Sequence, residues 1–276
     1  MTDSVLHHAP LGKDTQYPDH YDPSLLFPIE RETGRAQLSL QPPPAWHGAD
    51  VWNAYELSWL NEKGKPQVAL ARFIFPATST HIIESKSFKL YLNSFNQTPM
   101  PGRDALMAYL QQDLSAAAGT PVSVTLIEPT AFASESMSEL EGTLIDTLDI
   151  EVSAYQPDAN LLKADASQSR HEILRSDLLK SNCPVTRQPD WGSLQIEYTG
   201  AAIDHASLLK YIISFRGHNG FHEQCVEQIF CDILRTCKPE TLTVYARYTR
   251  RGGLDINPWR STDPDFAPTA GRNARQ

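Results

Sequence analysis

The sequence predicts an α+β fold built from two similar halves, each an antiparallel sheet that carries its helices on one face. Segments with strand-like alternation and segments with helical spacing follow in the order strand, helix, helix, strand, and this order occurs twice. Positions 120 residues apart also share five identities within 13 positions, from the pair Ile83 and Ile203 to the pair Phe95 and Phe215. The common order and the identities together predict a tandem duplication.

The first half contains two strands and two helices with clear residue patterns. Residues 67–75 and 121–127 have the alternation and β-branched content of strands. Residues 83–96 place large apolar side chains at helical spacing, and residues 102–119 end at a glycine, which is a common helix stop. The predicted order is therefore strand, helix, helix, strand.

The second half repeats that order. The predicted strands and helices are residues 193–198, 203–217, 220–238 and 241–248. Residues 147–152, between the halves, alternate as one more strand.

These elements predict five parts in the chain. The parts are an extended leader at 1–50, a first module at 51–130, a connecting segment with additional strands at 131–182, a second module at 183–262 and a mobile tail at 263–276. The leader is rich in proline and histidine, which indicates little regular structure.

The composition limits the partners. The chain has 276 residues, 41% of them apolar and 21% charged, so it can bury a large core. Its net charge of -9 argues against broad binding to nucleic acid or to an anionic membrane. No segment approaches the ~20 apolar residues of a membrane span, and residues 1–15 lack an apolar signal core. We therefore expect a cytoplasmic protein.

Cys183 stands apart from the other three cysteines. It lies in the loop sequence SNCPVTRQPDWG, where Pro184 stiffens the backbone and Arg187 could favour the thiolate. A loop thiol of this kind is most often inert packing; the alternative is a nucleophile presented beside polar groups. The thiol by itself does not decide between the two interpretations.

Three more polar residues allow two interpretations each. Asp190 lies in a Pro-Asp-x-Gly sequence typical of a turn, but a carboxylic acid near a thiol could also deliver a proton. His222 and Glu223 open the predicted helix 220–238, where an acidic side chain suits the helix dipole, with Asn219 as a plausible cap. A carboxylate there could instead accept paired N–H donors from a guanine-like ring.

A second group of polar residues could bind phosphate. Glu84, Ser85, Lys86 and Ser87 precede a helix, either as a solvated first turn capped by Ser85 or as a phosphate-binding helix start. The run Arg250–Gly253 supplies two guanidinium groups, and its glycines let a backbone approach a ligand. The chain contains neither G-x-G-x-x-G nor a Walker A sequence, so a dinucleotide would need another kind of site.

The remaining cysteines indicate structure rather than metal binding. Cys225, Cys231 and Cys237 are six residues apart, which is not the spacing of a zinc site, and Cys225 falls on the apolar stripe of its helix. A zinc site built from His218 and His222 would lack a third ligand nearby. We therefore predict no metal.

Four sequence runs, taken jointly, resemble the NADPH-dependent 7-cyano-7-deazaguanine reductases, the QueF family of queuosine biosynthesis. The runs are ESKSFKLYLNSFNQT at 84–98, CPVTRQPDWG at 183–192, FRGHNGFHE at 215–223 and YTRRGGLDINPWR at 248–260. They occur in the family's order, and the likeness extends over roughly residues 15–262. It is similar to the longer, two-module type of the family.

The resemblance implies a tandem tunnelling fold (T-fold), a homodimer and a soluble deazapurine substrate reduced with NADPH, without direct binding of nucleic acid or membrane. It implies Cys183 as the nucleophile of a covalent thioimide and Asp190 as the proton donor. The implied substrate-binding residues are Glu84, Ser85, Lys86, His222 and Glu223. The implied cofactor-binding residues are Lys86, Ser87, Arg251 and Gly252.

Two other functions compete with a nitrile reductase. A zinc-dependent cyclohydrolase of the same fold would hold stoichiometric metal. A purine-binding scaffold would bind the deazapurine without a covalent adduct.

Overall fold

The computed structural model describes residues 17–269 and 271–276. The first part of the predicted leader, residues 1–16, lies outside the described residues. The chain forms two compact units. Unit 1 comprises the chain up to Thr33, Ala49–Ser136 and Arg250–Ile256, and unit 2 comprises Gly34–Gly48, Met137–Thr249 and Asn257–Gln276.

Unit 1 is a small antiparallel sheet with two main helices. Its elements, some of which continue across a unit boundary, are β1 (Pro28–Glu30), α1 (Arg31–Arg35), β2 (His47–Leu60), β3 (Pro66–Pro76), β4 (His81–Ile83), α2 (Ser85–Asn93), α3 (Arg103–Ala118), β5 (Ser123–Ile127) and β10 (Leu254–Ser261). Strand β3 pairs antiparallel with β2 on one side and with β5 on the other, and β1 pairs with β4.

The core of unit 1 lies between the sheet and its helices. Strand β3 buries every second residue, and these residues join the inward faces of α2 and α3 in one cluster. Phe88 of α2 lies at its centre, with ring contacts of 5.0 Å to Phe73 and 5.3 Å to Trp52. The apolar residues predicted from the sequence, at every second position in the strand and at helical spacing in the helices, are thus buried in one core.

Unit 2 has the same kinds of layers around a longer hairpin. Its elements are β6 (Thr143–Leu144), β7 (Ala164–Asn182), β8 (Pro189–Ile203), α4 (His205–Ser214), α5 (His222–Cys237), β9 (Thr241–Tyr248) and the end of β10. Strand β8 pairs antiparallel with β7 and β9, β9 pairs antiparallel with β10, and only the short β6 is parallel to its neighbour β7. The apolar faces of α4 and α5 are buried in one cluster with this sheet.

The helices α2 and α4 begin with the same hydrogen bonds. Glu84 caps α2 by accepting from the Ser87 amide, and the Ser87 hydroxyl donates to the Glu84 carbonyl, each over 2.7–2.8 Å. Asp204 and Ser207 make the same two bonds at α4, at 2.7 and 2.8 Å.

The two helices also carry the same buried tyrosine. The hydroxyl of Tyr91 donates to Asp113, and that of Tyr211 donates to Asp232, at 2.6 and 2.7 Å.

The predicted α+β class and mainly antiparallel pairing are confirmed, and so are both helix pairs. The predicted strand at 147–152 is wrong, because this segment has no ladder partner and no regular structure. The strand of this region is β7 instead. Its outer end is exposed on both faces and therefore lacks the alternation that marks a strand in sequence.

Both chain ends differ from expectation where they are described. The leader contains β1 and α1 and leads directly into β2. In the predicted mobile tail, Asn273 and Gln276 are buried: the Asn273 amide donates to Ser193 and the Gln276 amide donates to Asn257. Polar side chains that replace water with internal partners can dock a terminus without apolar residues.

Within the described part of the chain, none of the helices has the length and apolar character that crossing a bilayer requires.

Candidate active site

Cys183 lies at the tip of the β7–β8 hairpin. The tip is closed by the Cys183 amide, which donates to Gln188 over 2.9 Å, and by the Arg187 amide, which donates to Cys183 over 3.0 Å. Arg187 has the positive φ of 58° that a tight return requires. The turn therefore falls between Cys183 and Gln188, before the Pro-Asp-x-Gly sequence.

The hairpin ladder brings Asp190 close to the tip that carries Cys183. Asp190 lies directly opposite Ser181 in the ladder, and Cys183 directly follows the end of β7 at Asn182. Side chains directly opposite across a ladder point to the same face of the sheet, so Asp190 and Ser181 share one face. The turn interpretation of Asp190 is wrong, since this residue belongs to β8.

The start of helix α5 is hydrogen-bonded to the hairpin tip. The Asn182 amide donates to the His218 carbonyl over 2.8 Å, and the Gly220 amide donates back to the Asn182 carbonyl over 3.1 Å. A Cβ on Gly220 would lie 2.7 Å from the His218 ring, so a side chain here would require this ring to shift. These bonds bring the first turn of α5 next to the cysteine.

His222 is held between an aromatic ring and a carboxylate. Its ring packs on Tyr248 with centroids 3.9 Å apart, and its Nε2 lies 3.6 Å from Oδ2 of Asp190. Glu223 is next in the same turn, where the helix dipole favours a negative charge. Cys183, Asp190, His222 and Glu223 are each between 3% and 8% exposed, so all four side chains are almost wholly shielded from solvent.

The helix begins differently from the sequence prediction. Phe221, and not Asn219, occupies the cap position of α5, and Gln224 accepts a hydrogen bond from the Phe221 amide over 3.3 Å. The position of Glu223 in the first turn is nevertheless confirmed.

The other three thiols are chemically quiet. Burial raises the pKa of Cys225 and of Cys231 to about 12, and that of Cys237 to about 11. A thiol reacts as its thiolate, so these three residues are almost wholly unreactive at neutral pH. This agrees with the structural role predicted for them.

A second polar group forms around the start of α2 in unit 1. Glu84 is the cap of this helix, not Ser85, and its carboxylate accepts from the amides of Lys86 and Ser87, both over 2.8 Å. Burial raises the pKa of Glu84, although these two hydrogen bonds and the charges of Arg251 and Lys86 act in the opposite direction.

The glycine turn after β9 reaches the same helix. The Arg251 guanidinium lies 3.4 Å from the Ser85 hydroxyl, and Gly252 and Gly253 both have positive φ, at 63° and 79°. The ammonium of Lys89, which the sequence reasoning missed, donates to the Gly252 carbonyl over 2.6 Å. Its spacing three residues after Lys86, on one helix face, was the signal that could have indicated it.

Ser87 does not offer its hydroxyl to a ligand. The side chain is fully buried, accepts from the Phe27 amide over 3.0 Å and donates to the Glu84 carbonyl over 2.7 Å. Ser87 thus stabilises the start of the helix that carries Lys86, and its predicted role in cofactor binding stays a prediction.

The predicted site residues thus form two groups. Cys183, Asp190, His222 and Glu223 belong to unit 2, and Glu84, Ser85, Lys86, Arg251 and Gly252 belong to unit 1. Among residues 17–269 and 271–276, no cluster of three or more His, Cys, Asp or Glu side chains is arranged to hold a metal ion.

Comparison with known proteins identifies the family. A family model described as the nitrile reductase 7-cyano-7-deazaguanine reductase N-terminal region matches residues 17–126, and one described as QueF-like protein matches residues 189–266. The relative from Bordetella pertussis is 58% identical over 271 residues, which is 98% of this chain and 99% of the relative. The relative from Chromobacterium violaceum is 59% identical over 271 residues, 98% of this chain and 97% of the relative.

Both relatives are named NADPH-dependent 7-cyano-7-deazaguanine reductase. A crystal structure of the archaeosine synthase QueF-Like in the apo form covers 38% of this chain and 100% of its own, at 18% identity and a TM-score of 0.31. The sequence relatives define an oxidoreductase that acts on a nitrile. The chain belongs to the family of NADPH-dependent 7-cyano-7-deazaguanine reductases, which confirms the resemblance seen in the sequence.

His218, beside the hairpin tip, is expected to make the stability depend on pH. Burial lowers the pKa of His218 below its usual value. As the pH falls below the unfolded-state value of about 6.5 and through the folded-state pKa, the unfolded chain binds more protons and the free energy of unfolding decreases. Urea unfolding at pH 7.5 and 5.5 is expected to show a smaller loss in His218→Gln than in the original chain.

The exposed His47 provides the matched control, and His47→Gln is expected to keep the original pH dependence. If the free energy of unfolding falls by the same amount between pH 7.5 and 5.5 in His218→Gln and in the original chain, His218 is not a source of the pH dependence.

Proposed function

We propose that this chain reduces the nitrile of 7-cyano-7-deazaguanine to the aminomethyl group, in queuosine biosynthesis, with NADPH and through a covalent thioimide on Cys183. The observation that supports the proposal is the β7–β8 hairpin, in which Asp190 pairs opposite Ser181 close to the tip that carries Cys183, with His222 3.6 Å from Asp190. The substrate and the cofactor in this proposal are those that the family is named for.

Cys183 acts as the nucleophile. Its thiolate adds to the nitrile carbon, so an S–C bond forms and one π bond of the nitrile opens toward nitrogen. Asp190 gives its proton to that nitrogen, and the product of this step is a neutral thioimide. A nitrile is a poor hydride acceptor, and covalent attachment replaces it by a more electrophilic C=N group. The low exposure of both residues limits hydrolysis by bulk water.

His222 assists the proton donor Asp190, and Glu223 binds the purine ring. With Nε2 3.6 Å from Asp190, His222 is placed to return a proton to the carboxylate. Glu223 accepts hydrogen bonds from the N–H donors of the guanine-like edge. Its position in the first turn of α5 stabilises the ionised form that such acceptance needs.

The residues around the start of α2 fit NADPH. Lys86 and Arg251 provide positive charge for phosphate groups, and Gly252 lies in the turn beside Arg251. When bound, NADPH would supply the hydride: after the first hydride the S–C bond to Cys183 breaks, which returns the thiolate and leaves an imine, and a second hydride gives the amine, so two NADPH and two protons are used in all. Glu84 holds the helix start rigid, and Ser85 stands beside Arg251 at 3.4 Å as a further contact for substrate.

We propose further that the two units are tandem T-fold modules. The matched caps at Glu84 and Asp204, and the matched Tyr–Asp pairs in the two helix layers, support a common origin. With the family likeness, this also leads us to propose a homodimer that works in the cytoplasm on a small molecule and does not bind nucleic acid.

Intact-mass analysis tests the proposed function directly. After mixing with 7-cyano-7-deazaguanine in the absence of NADPH, the protein is expected to gain the mass of the whole nitrile. With NADPH, two equivalents are expected to be consumed for each aminomethyl product formed. A zinc cyclohydrolase would lose activity with chelators and consume no NADPH, and a binding scaffold would gain no mass. Either result would overturn the proposal.

Glu223→Gln is expected to weaken substrate binding more than chemistry. It keeps the shape of the side chain but removes the charge, and a lost charge-assisted hydrogen bond costs about 1.5–3 kcal/mol. The KM for the nitrile is therefore expected to rise about 10- to 150-fold, while the KM for NADPH changes little. The exposed Glu240→Gln is the control. An unchanged KM for the nitrile would remove Glu223 from the purine site.

A further inference from the structure

The segment Gly34–Gly48, here called the strap, belongs to unit 2 although the rest of that unit begins only at Met137. Its contacts are with helix α5 and with the end of β10. Gly48 packs so closely on β10 that a Cβ would lie 2.4 Å from the Trp259 carbonyl. The proposed function gives the strap no role.

The strap is anchored on α5 by a buried charge cluster. Glu227 is 2% exposed and accepts from Arg35 of the strap through both carboxylate oxygens, over 2.7 and 3.2 Å. Arg260, with no exposed surface, donates twice to Oε1 of the same carboxylate, over 2.8 and 3.1 Å. Bidentate guanidinium–carboxylate pairs fix geometry as well as charge, so the cluster holds the strap in one orientation on the helix.

An aromatic contact extends the anchor. The Trp46 ring of the strap lies under the Arg35 guanidinium at 5.2 Å and meets Phe230 of α5 edge-on at 5.9 Å. The strap therefore contacts α5 at the charged residue 227 and at the apolar residue 230.

The strap also packs on the side chain that holds the start of α5. A Cβ on Gly34 would lie 2.3 Å from Nε2 of Gln224, and Oε1 of this glutamine accepts from the Phe221 amide. Residue 224 directly follows Glu223, and Glu227 lies four residues after Glu223, on the same helix face. The two strap contacts therefore lie next to Glu223 and one turn after it, and Glu223 is the carboxylate proposed to bind the purine.

We propose that Gly34 and Arg35 of the strap, with Glu227, are positioning residues that set where Glu223 lies and thereby the affinity for the deazapurine. The inference rests on the proposed function.

Two strap variants test the role. Gly34→Ala forces the far end of the Gln224 side chain to move, a displacement that the fold can absorb, and Arg35→Gln removes the bidentate pair. Because a shift of about 1 Å can cost up to 10²-fold, the KM for 7-cyano-7-deazaguanine is expected to rise about tenfold in each. The kcat and the KM for NADPH are expected to stay within about twofold. Arg35→Lys, which keeps the charge without the planar fork, is expected to recover only part of the affinity.

Tyr211→Phe is the matched control. It removes the buried hydrogen bond to Asp232, which lies on the same helix beyond the strap contacts. Urea unfolding is expected to show a loss of stability comparable to that of the strap variants, with an unchanged KM for the nitrile. A change limited to KM in the strap variants separates positioning from a general loss of structure.

Three outcomes overturn the inference. They are an unchanged KM in Arg35→Gln, an equal rise of KM in Tyr211→Phe, and failure of both strap variants to fold, since the strap would then maintain the fold and not the position of Glu223. Absence of turnover and of the covalent adduct in the original chain would instead overturn the proposed function. The two failures are therefore distinguishable.

Discussion

Replacing Cys183 with alanine is expected to lower kcat by at least about 10³-fold and to abolish the mass gain on mixing with the nitrile. Loss of a nucleophile removes the covalent route altogether, and such losses are among the largest in enzymology. Purine binding through Glu223 is expected to persist, so isothermal titration of Cys183→Ala with the nitrile still gives binding. Steady-state oxidation of NADPH and intact-mass analysis provide the other two measurements.

The buried Cys237 offers the matched control. Its thiol is 4% exposed and its pKa is raised to about 11, so Cys237→Ala is expected to retain both the adduct and turnover. Normal NADPH oxidation in Cys183→Ala, or an adduct that maps to another cysteine, would refute the thioimide mechanism.

Asp190→Asn is expected to lower kcat by about 10²- to 10⁴-fold, the usual contribution of a positioned proton donor. The amide keeps the size of the side chain and its place in β8 but has no acidic proton for the nitrile nitrogen. The time course of the mass gain without NADPH isolates this step, and adduct formation is expected to slow by a similar factor. The KM for NADPH is expected to change little.

Asp165→Asn, at the opposite end of the same hairpin, controls for the substitution itself. Asp165 pairs with Ala202 in the ladder, far along the strands from the Cys183 tip, and is exposed. A kcat within about threefold of the original in Asp190→Asn would assign the proton transfer to another group, with His222 the first candidate.

Several features could be predicted from the local sequence because they depend on neighbouring residues. The apolar stripe of α5 and the glycine stop of α3 correspond to helices in the structure within two residues of the predicted ends. The site roles given to residues in the four family runs stay predictions. Strand β7 was predicted poorly because its outer residues are exposed on both faces and obtain their order from pairing with β8.

Other features required the tertiary structure. The Pro-Asp-x-Gly sequence indicates a turn, but the chain turns earlier, at Arg187, and Asp190 enters the ladder opposite Ser181. The cap at Ser85 was a plausible local prediction, yet the longer Glu84 side chain reaches two amides and takes that position. Similarly, the local sequence allows Ser87 to face a ligand, and only the packing of the fold shows that its side chain is buried.

The sequence by itself determined the α+β class, the two helix pairs and the residues that could carry chemistry, since patterning and residue type are properties of a short stretch of chain. Only the tertiary structure decided that Asp190 pairs opposite Ser181 near Cys183, that Tyr248 supports His222, and that Arg35 is paired with Glu227. Each of these depends on a strand register or a packing contact between distant segments, and the free energy that selects it comes from burial and hydrogen bonds that neither segment contains alone.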